Sequence, residues 1–414
     1  MSRKGRMFLT VVVLLGSLLS GLPASPALAA PLSTCEDGPQ ASGAIYRICM
    51  PEPGRWNGDL VVYAHGYVAF NEPVGIPENQ LVLPDGTSLP EIINGLGFAF
   101  ATTSYSTNGL AVREGIEDVR DVVDVFRARY GEPGHVYLGG ASEGGLVTAL
   151  AVERFPAVFD GGLSTCGPVG SFRGQINYWG DLRVVFDVFF PGLIPGNALD
   201  IPQEVIDQWD TVYKPAVVAA LRANPDAMAQ LLRVADVPVE RDNPASAEEA
   251  LLQLLWYNVF GSNDGIAKLG GQPFGNMLRV YHGSENDLAL NRQVQRFRAD
   301  PAALEEIAAH YQTSGQLASP LVTLHTTGDP YVPYWHELYY AGAVQSSGSS
   351  PLHTNIPVFR YGHCNFKVSE VLAAFALLVL KVTGQELHGV EQVLPDADSQ
   401  AEFLRLAREV GALR

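Results

Sequence analysis

The sequence is short of cysteine, of positive charge and of long apolar runs, and each shortage excludes something. Four cysteines among 414 residues, none in a CxxC pair or grouped with histidines at zinc-ligand spacing, argue against a structural zinc site. Only 27 Lys and Arg stand against 44 Asp and Glu, a formal net charge of −17. Setting aside Arg3, Lys4 and Arg6 of the basic start leaves 24 − 44 = −20. Such a chain is a poor partner for nucleic acid or an anionic membrane, both being polyanions. The longest apolar run, residues 7–22, falls short of the roughly 18 or more that a spanning helix needs. No repeat or low-complexity segment appears, and 47% apolar with 17% charged residues is a globular composition.

The basic start and the apolar run lead to Ala27-Leu28-Ala29, whose small residues suit a signal peptidase. Residues 1–29 are therefore expected to be a signal peptide cleaved near Ala29, and the mature protein to be secreted, extracellular or periplasmic. Leu32-Ser33-Thr34-Cys35 resembles a lipoprotein box only loosely. Thr34 does not suit the position before the cysteine, so no stable membrane anchor is expected. In an exported chain, Cys35, Cys49, Cys166 and Cys364 read as two disulfides, with three pairings open.

Beyond the leader the chain alternates strand-like and helix-like runs. Residues 44–50, 60–64, 97–105, 135–139 and 161–165 read as strands. Val112, Ile116, Val119, Val122, Val123 and Phe126 recur at helical spacing, and a second helix is expected over 144–155. Alternation of this kind implies a mostly parallel sheet flanked by helices, an α/β fold. From 167 to 319 strand signals are sparse, and helices are expected over 202–209, 215–224, 226–234, 245–257 and 301–312. Aromatics are dense there, most of them expected to fill that segment's own core. Trp179 and Phe186 are expected to face a substrate. Gly261-Ser262-Asn263-Asp264-Gly265 superficially suggests a calcium loop but lacks the twelve-residue ligand spacing. A strand from 320, a helix over 334–344, a strand over 356–361 and a buried helix over 368–382 complete the pattern. The chain thus divides into a body of 30–166 and 320–414, interrupted by a mainly helical insertion of 167–319.

Gly140-Ala141-Ser142-Glu143-Gly144 matches G-x-S-x-G, the elbow that holds a serine at a sharp strand-to-helix turn. Small neighbours are needed because larger side chains would clash in so tight a turn. A serine hydroxyl is a weak nucleophile at neutral pH. It requires a histidine base and a carboxylate to orient that base, in the chain order Ser, acid, His. Asp329, in "TGDPYVP", and His363, in "RYGHCNF", both follow strands in that order. His65 precedes the elbow, His325 lies inside a predicted strand and His336 on the helix after Asp329. The oxyanion donors are expected to be the backbone N–H of Glu143 and of Tyr67, which follows His65-Gly66 after a strand. The Glu143 side chain is expected to be a tolerated spacer. Cys35 and Cys49 are close in sequence and are expected to pair. Cys166 and Cys364 should both emerge at the C-terminal edge of the sheet and pair there, tying the His363 loop to the body.

With "HGY", "GASEGG", "GDPYVP" and "GHC" in this order, the chain resembles the α/β-hydrolases over its body, 30–166 and 320–414. "GASEGGLVTALAVERFPAVFDGG" also resembles the elbow region of prolyl-oligopeptidase-like proteins. The resemblance implies an α/β-hydrolase fold whose 167–319 insertion is a helical cap. It implies a secreted serine hydrolase with Ser142, Asp329 and His363 as a triad, no cofactor and no metal. Carboxylic esters, small or polymeric, are the implied substrates by analogy with the common use of the fold. A secreted serine exopeptidase is the alternative enzyme, for which Asp181, Asp187 and Glu285 could hold a substrate amine. A binding protein on a relic scaffold is the alternative without catalysis.

Overall fold

A computed structural model describes residues 33–83, 86–394 and 396–413. The expected signal peptide and its cleavage site lie outside these residues. Among the described residues eight strands form one sheet: β1 (Ser33–Pro39), β2 (Ile45–Pro51), β3 (Leu60–Ala64), β4 (Ala99–Thr103), β5 (Val136–Ala141), β6 (Gly161–Thr165), β7 (Leu321–Gly328) and β8 (His353–Tyr361). Their order is β1-β2-β4-β3-β5-β6-β7-β8. Only the β1–β2 and β2–β4 pairs are antiparallel.

Helices α1 (Leu89–Gly95), α2 (Val112–Tyr130) and α3 (Glu143–Arg154) connect β3 to β4, β4 to β5 and β5 to β6 in turn. Between β6 and β7 come α4 (Phe172–Phe189), α5 (Gln203–Asp207), α6 (Lys214–Ala223), α7 (Pro225–Val234), α8 (Ala245–Lys268), α9 (Asp287–Gln293) and α10 (Pro301–Glu306). No strand lies among the described residues of that segment. Then α11 (Trp335–Ser347) precedes β8, and α12 (Val368–Thr383) and α13 (Ala397–Glu409) follow it.

Two-residue periodicity builds the body. On β3, Leu60, Val62 and Ala64 join a core with α2 and α3, while Val61 and Tyr63 face a second core containing α1, α12 and α13. Alternate side chains of a strand point to opposite faces, so each strand feeds two cores. The segment between β6 and β7 has a third core of its own, including Phe186, Phe190, Trp209 and Phe260.

Several local expectations need correction. The polar stretch before the first expected strand is itself β1, with Cys35 opposite Cys49 in an antiparallel register. The 245–257 helix continues to Lys268, so Gly261–Gly265 is helical. There the Asp264 carboxylate accepts the Leu110 N–H at 2.7 Å and pairs with Lys268 at 3.2 Å. The 18-residue α4 was not foreseen because its glycines and scattered polar residues blur the apolar stripe. Phe186 is fully buried in the segment's own core and is not turned toward a substrate.

Candidate active site

The turn between β5 and α3 carries Ser142 at φ 57°, ψ −120°, a left-handed backbone that a non-glycine residue adopts only under constraint. The constraint is packing. A Cβ on Gly140 would fall on the carbonyl of Gly144, and one on Gly144 would fall on the carbonyl of Ala64. Gly66 is less tightly confined, its added Cβ sitting 3.3 Å from the Ser142 Cβ.

Asp329 follows β7 and His363 follows β8, and the parallel register of β5 to β8 brings both to the same edge as Ser142. His363 Nε2 is 2.9 Å from Ser142 Oγ, and His363 Nδ1 is 2.6 Å from Asp329 Oδ2. The other Asp329 oxygen accepts the N–H groups of Tyr331 and Val332 at 2.9 and 3.0 Å. These bonds fix the carboxylate's orientation. Burial pushes the Asp329 pKa up, but His363 and His325 together outweigh it and hold the group well below the usual carboxylate range. Serine on an elbow after β5, acid after β7 and histidine after β8 of this strand order decide the architecture.

The chain has the α/β-hydrolase fold.

No protein-family model and no curated protein matches the sequence. Among solved structures the chain aligns with an acylaminoacyl peptidase of Pyrococcus horikoshii at 12% identity and TM-score 0.39, over 80% of this chain and 38% of that one. It aligns with the rice cell wall degrading esterase LipA from Xanthomonas oryzae at 13% and 0.41, over 91% and 87%. For oligopeptidase B from Leishmania major the figures are 9% and 0.39, over 92% and 37%. The chain spans less than half the length of either peptidase. The assignment of the α/β-hydrolase fold rests on strand order and the elbow.

Around the three side chains, the expected oxyanion residues are adjacent. The Gly66 N–H is taken by Gln80 Oε1 at 2.6 Å. Among the described residues, the N–H groups of Tyr67 and Glu143 donate to no protein acceptor. The Glu143 side chain is more than a spacer. It is buried, accepts the Ala111 N–H at 3.0 Å, and burial pushes its pKa up to about 8 despite that bond and nearby Lys268.

Sequence reasoning missed His325. Fully buried on β7, it contacts Asp329 at 3.4 Å on one side and Glu337 at 3.0 Å on the other. Burial lowers its pKa, but the two carboxylates prevail and raise it to about 10. A histidine four residues before the acid, on a strand facing a following helix with a glutamate, was the available signal. His336, also buried, bonds Gln175 at 2.8 Å and ties α11 to α4. His65 stacks on Tyr105 behind the Gly66 turn.

The structure bonds Cys35 to Cys49 and Cys166 to Cys364. The one cluster of metal-type ligands among the described residues is Cys166, His363 and Cys364, whose sulfurs are spent on that disulfide. No described helix is long and apolar enough to cross a membrane.

Two cavities meet at Ser142, with Tyr67 and Tyr257 lining both. One, about 450 Å³, runs into the body along the α1 and α12 side of the sheet. The other, about 100 Å³, lies against α4 and α8 and is lined by Trp179, Glu143 and Phe172. Asp181 and Asp187 are instead absorbed by Tyr281 and Arg183, at 2.6 and 2.9 Å, and Glu285 is exposed.

Proposed function

We propose that the chain is an exported serine hydrolase that cleaves carboxylic esters through an acyl-enzyme. The observation that carries this reading is the continuous bond path from Ser142 Oγ through His363 to Asp329, at 2.9 and 2.6 Å. It begins at a serine whose strained backbone presents it to two cavities. Ser142 Oγ attacks the ester carbonyl carbon as its proton passes to His363 Nε2. Asp329 holds the imidazole with Nδ1 protonated and stabilises the imidazolium. The carbonyl oxygen, now negative, is met by the N–H groups of Tyr67 and Glu143, the latter at the positive end of α3. As the carbon–oxygen bond to the alcohol breaks, His363 returns its proton to the departing oxygen. A water then repeats the sequence on the acyl-enzyme, giving the acid and restoring Ser142. Every step runs on side chains, backbone and water.

The helical segment between β6 and β7 acts as a cap in this reading. Tyr178 Oη donates to the Pro330 carbonyl at 2.8 Å, and Gln175 to the Tyr331 carbonyl at 2.8 Å, so α4 is anchored to the Asp329 loop. Trp179 and Tyr257 stack 4.9 Å apart over the small cavity and would exclude water from the acyl-enzyme. Export is supported by the leader-like residues 1–29 and by two disulfides. The exopeptidase alternative is weakened because Asp181, Asp187 and Glu285 line neither cavity. A relic scaffold would not need the aligned triad. The purified mature chain should cleave p-nitrophenyl esters with a higher kcat/KM than any aminoacyl nitroanilide. The reverse ranking would replace the esterase with the exopeptidase.

A further inference from the structure

The larger cavity enters the body between the sheet and helices α1 and α12, where a hydrolase of this architecture could have filled the space with side chains. Strand register shows how the space arises. Tyr63 on β3 lies beside Gly139 on β5, which lies beside Leu163 on β6, and all three line the cavity. Tyr137 lines it two residues deeper, and Ile92 of α1 and Phe375 of α12 face it from the helical layer. Gly139 is the gap in this wall. A Cβ there would meet only the Leu163 carbonyl oxygen, at 3.9 Å, so a side chain could start there without a backbone clash and the glycine leaves volume unused.

The geometry of the triad says which half of an ester enters. The departing oxygen takes its proton from His363 Nε2, so the leaving group must extend from the His363 side of Ser142. His363 and Cys364 line the large cavity and are not among the residues lining the small one. Glu143, at the other side of Ser142, lines the small one alone. Resting on the esterase reading above, we propose that the body cavity is the alcohol subsite and takes an unbranched apolar alcohol. The small cavity, under a quarter of the volume, takes a short acyl group. From Ala141 to Tyr137 the wall runs four residues, about 13 Å at ~3.3 Å per residue. An extended alkyl chain with bonds of about 1.52 Å at ~111° advances roughly 1.25 Å per carbon. The subsite therefore accommodates on the order of ten carbons.

Two matched ester series test this: acetates of ethanol, butanol, octanol and decanol, and ethyl esters of the acids of the same lengths. For the wild-type chain kcat/KM should rise along the alcohol series by up to about fourfold per buried methylene, the equivalent of about 0.8 kcal/mol. It should fall along the acyl series beyond butanoate. Gly139→Leu, which projects into the cavity, should lower the decyl-to-ethyl acetate ratio by at least about tenfold, and Gly139→Ala by less. Using a ratio cancels any general loss of activity. Free 1-decanol should inhibit the wild-type chain competitively and inhibit Gly139→Leu far less. An acyl series that rises and is blocked by Gly139→Leu would overturn the assignment in favour of an acyl subsite. Flat responses in both series would remove the subsite altogether. Failure of the esterase reading itself looks different: no ester in either series is cleaved, and Ser142→Ala changes nothing.

Discussion

Replacing Glu143 by Gln tests the electrostatics beside Ser142 without touching the proposed catalytic atoms. The Glu143 carboxyl is buried and its pKa is raised from 4.5 to about 8, chiefly by desolvation. A carboxyl with a raised native pKa binds a proton in the folded chain that the unfolded chain has already released. Its contribution therefore destabilises as pH climbs from 4.5 toward 8, by up to about 1.4 kcal/mol per pH unit. The accumulated cost reaches about 5 kcal/mol above pH 8 and is only about 1 kcal/mol at pH 5. Glutamine cannot ionise, and its carbonyl oxygen can still accept the Ala111 N–H. Burying its amide costs roughly 1–3 kcal/mol where a partner is lacking. The net gain is about 2–4 kcal/mol at pH 8.5, and nothing or a small loss at pH 5. With an unfolding entropy of roughly 2.1 cal/mol/K for each of roughly 380 residues, that gain raises Tm by about 3–5 °C. Thermal melts of both proteins at pH 5, 7 and 8.5 provide the assay, and only the difference between them matters. A variant equally or less stable at pH 8.5 would refute a neutral, desolvated Glu143.

His325 titrates with the opposite sign: its raised pKa, about 10, supplies stability that is complete below pH 6.5 and lost as pH rises through 10. Denaturant unfolding of His325→Gln should therefore show the largest loss at pH 6 and a shrinking one at pH 8 and 10. Cys364→Ser opens a loop of 198 residues, worth about 5 kcal/mol by the loop-entropy account. Because it also frees the His363 loop, ester hydrolysis should fall in this variant at temperatures where circular dichroism is still native. Asp329→Asn should reduce kcat about 10⁴-fold by leaving the imidazole in the wrong tautomer, measured as p-nitrophenyl ester turnover.

The fold was legible where hydrophobic period and local turn chemistry agreed. β3, β5, β6 and α2 are runs of branched or periodic apolar residues, and the bounds of these strands differ from expectation by two residues or fewer. β1 was hidden because Cys35, Glu36 and Asp37 carry no apolar alternation. Its pairing is an edge contact to β2, stapled by a disulfide. α4 was hidden because one of its faces meets the body and another its own segment, which erases a single stripe. Ser142, Asp329 and His363 were nameable because an elbow dictates what must follow it and in what order. His325 was not, since its role depends on Asp329 and Glu337 reaching it from a loop and a helix. Cavities were out of reach for a similar reason: the space beside Gly139 is set by five elements at once.

The most direct test of the account is the site of covalent capture. After treatment with a fluorophosphonate, peptide mass spectrometry should find one adduct, on Ser142. Labelling should disappear in Ser142→Ala and fall by orders of magnitude in His363→Ala, with both variants keeping the wild-type circular dichroism. An unlabelled wild-type chain, an adduct on another residue, or undiminished ester turnover in Ser142→Ala would contradict the proposed nucleophile and the mechanism built on it.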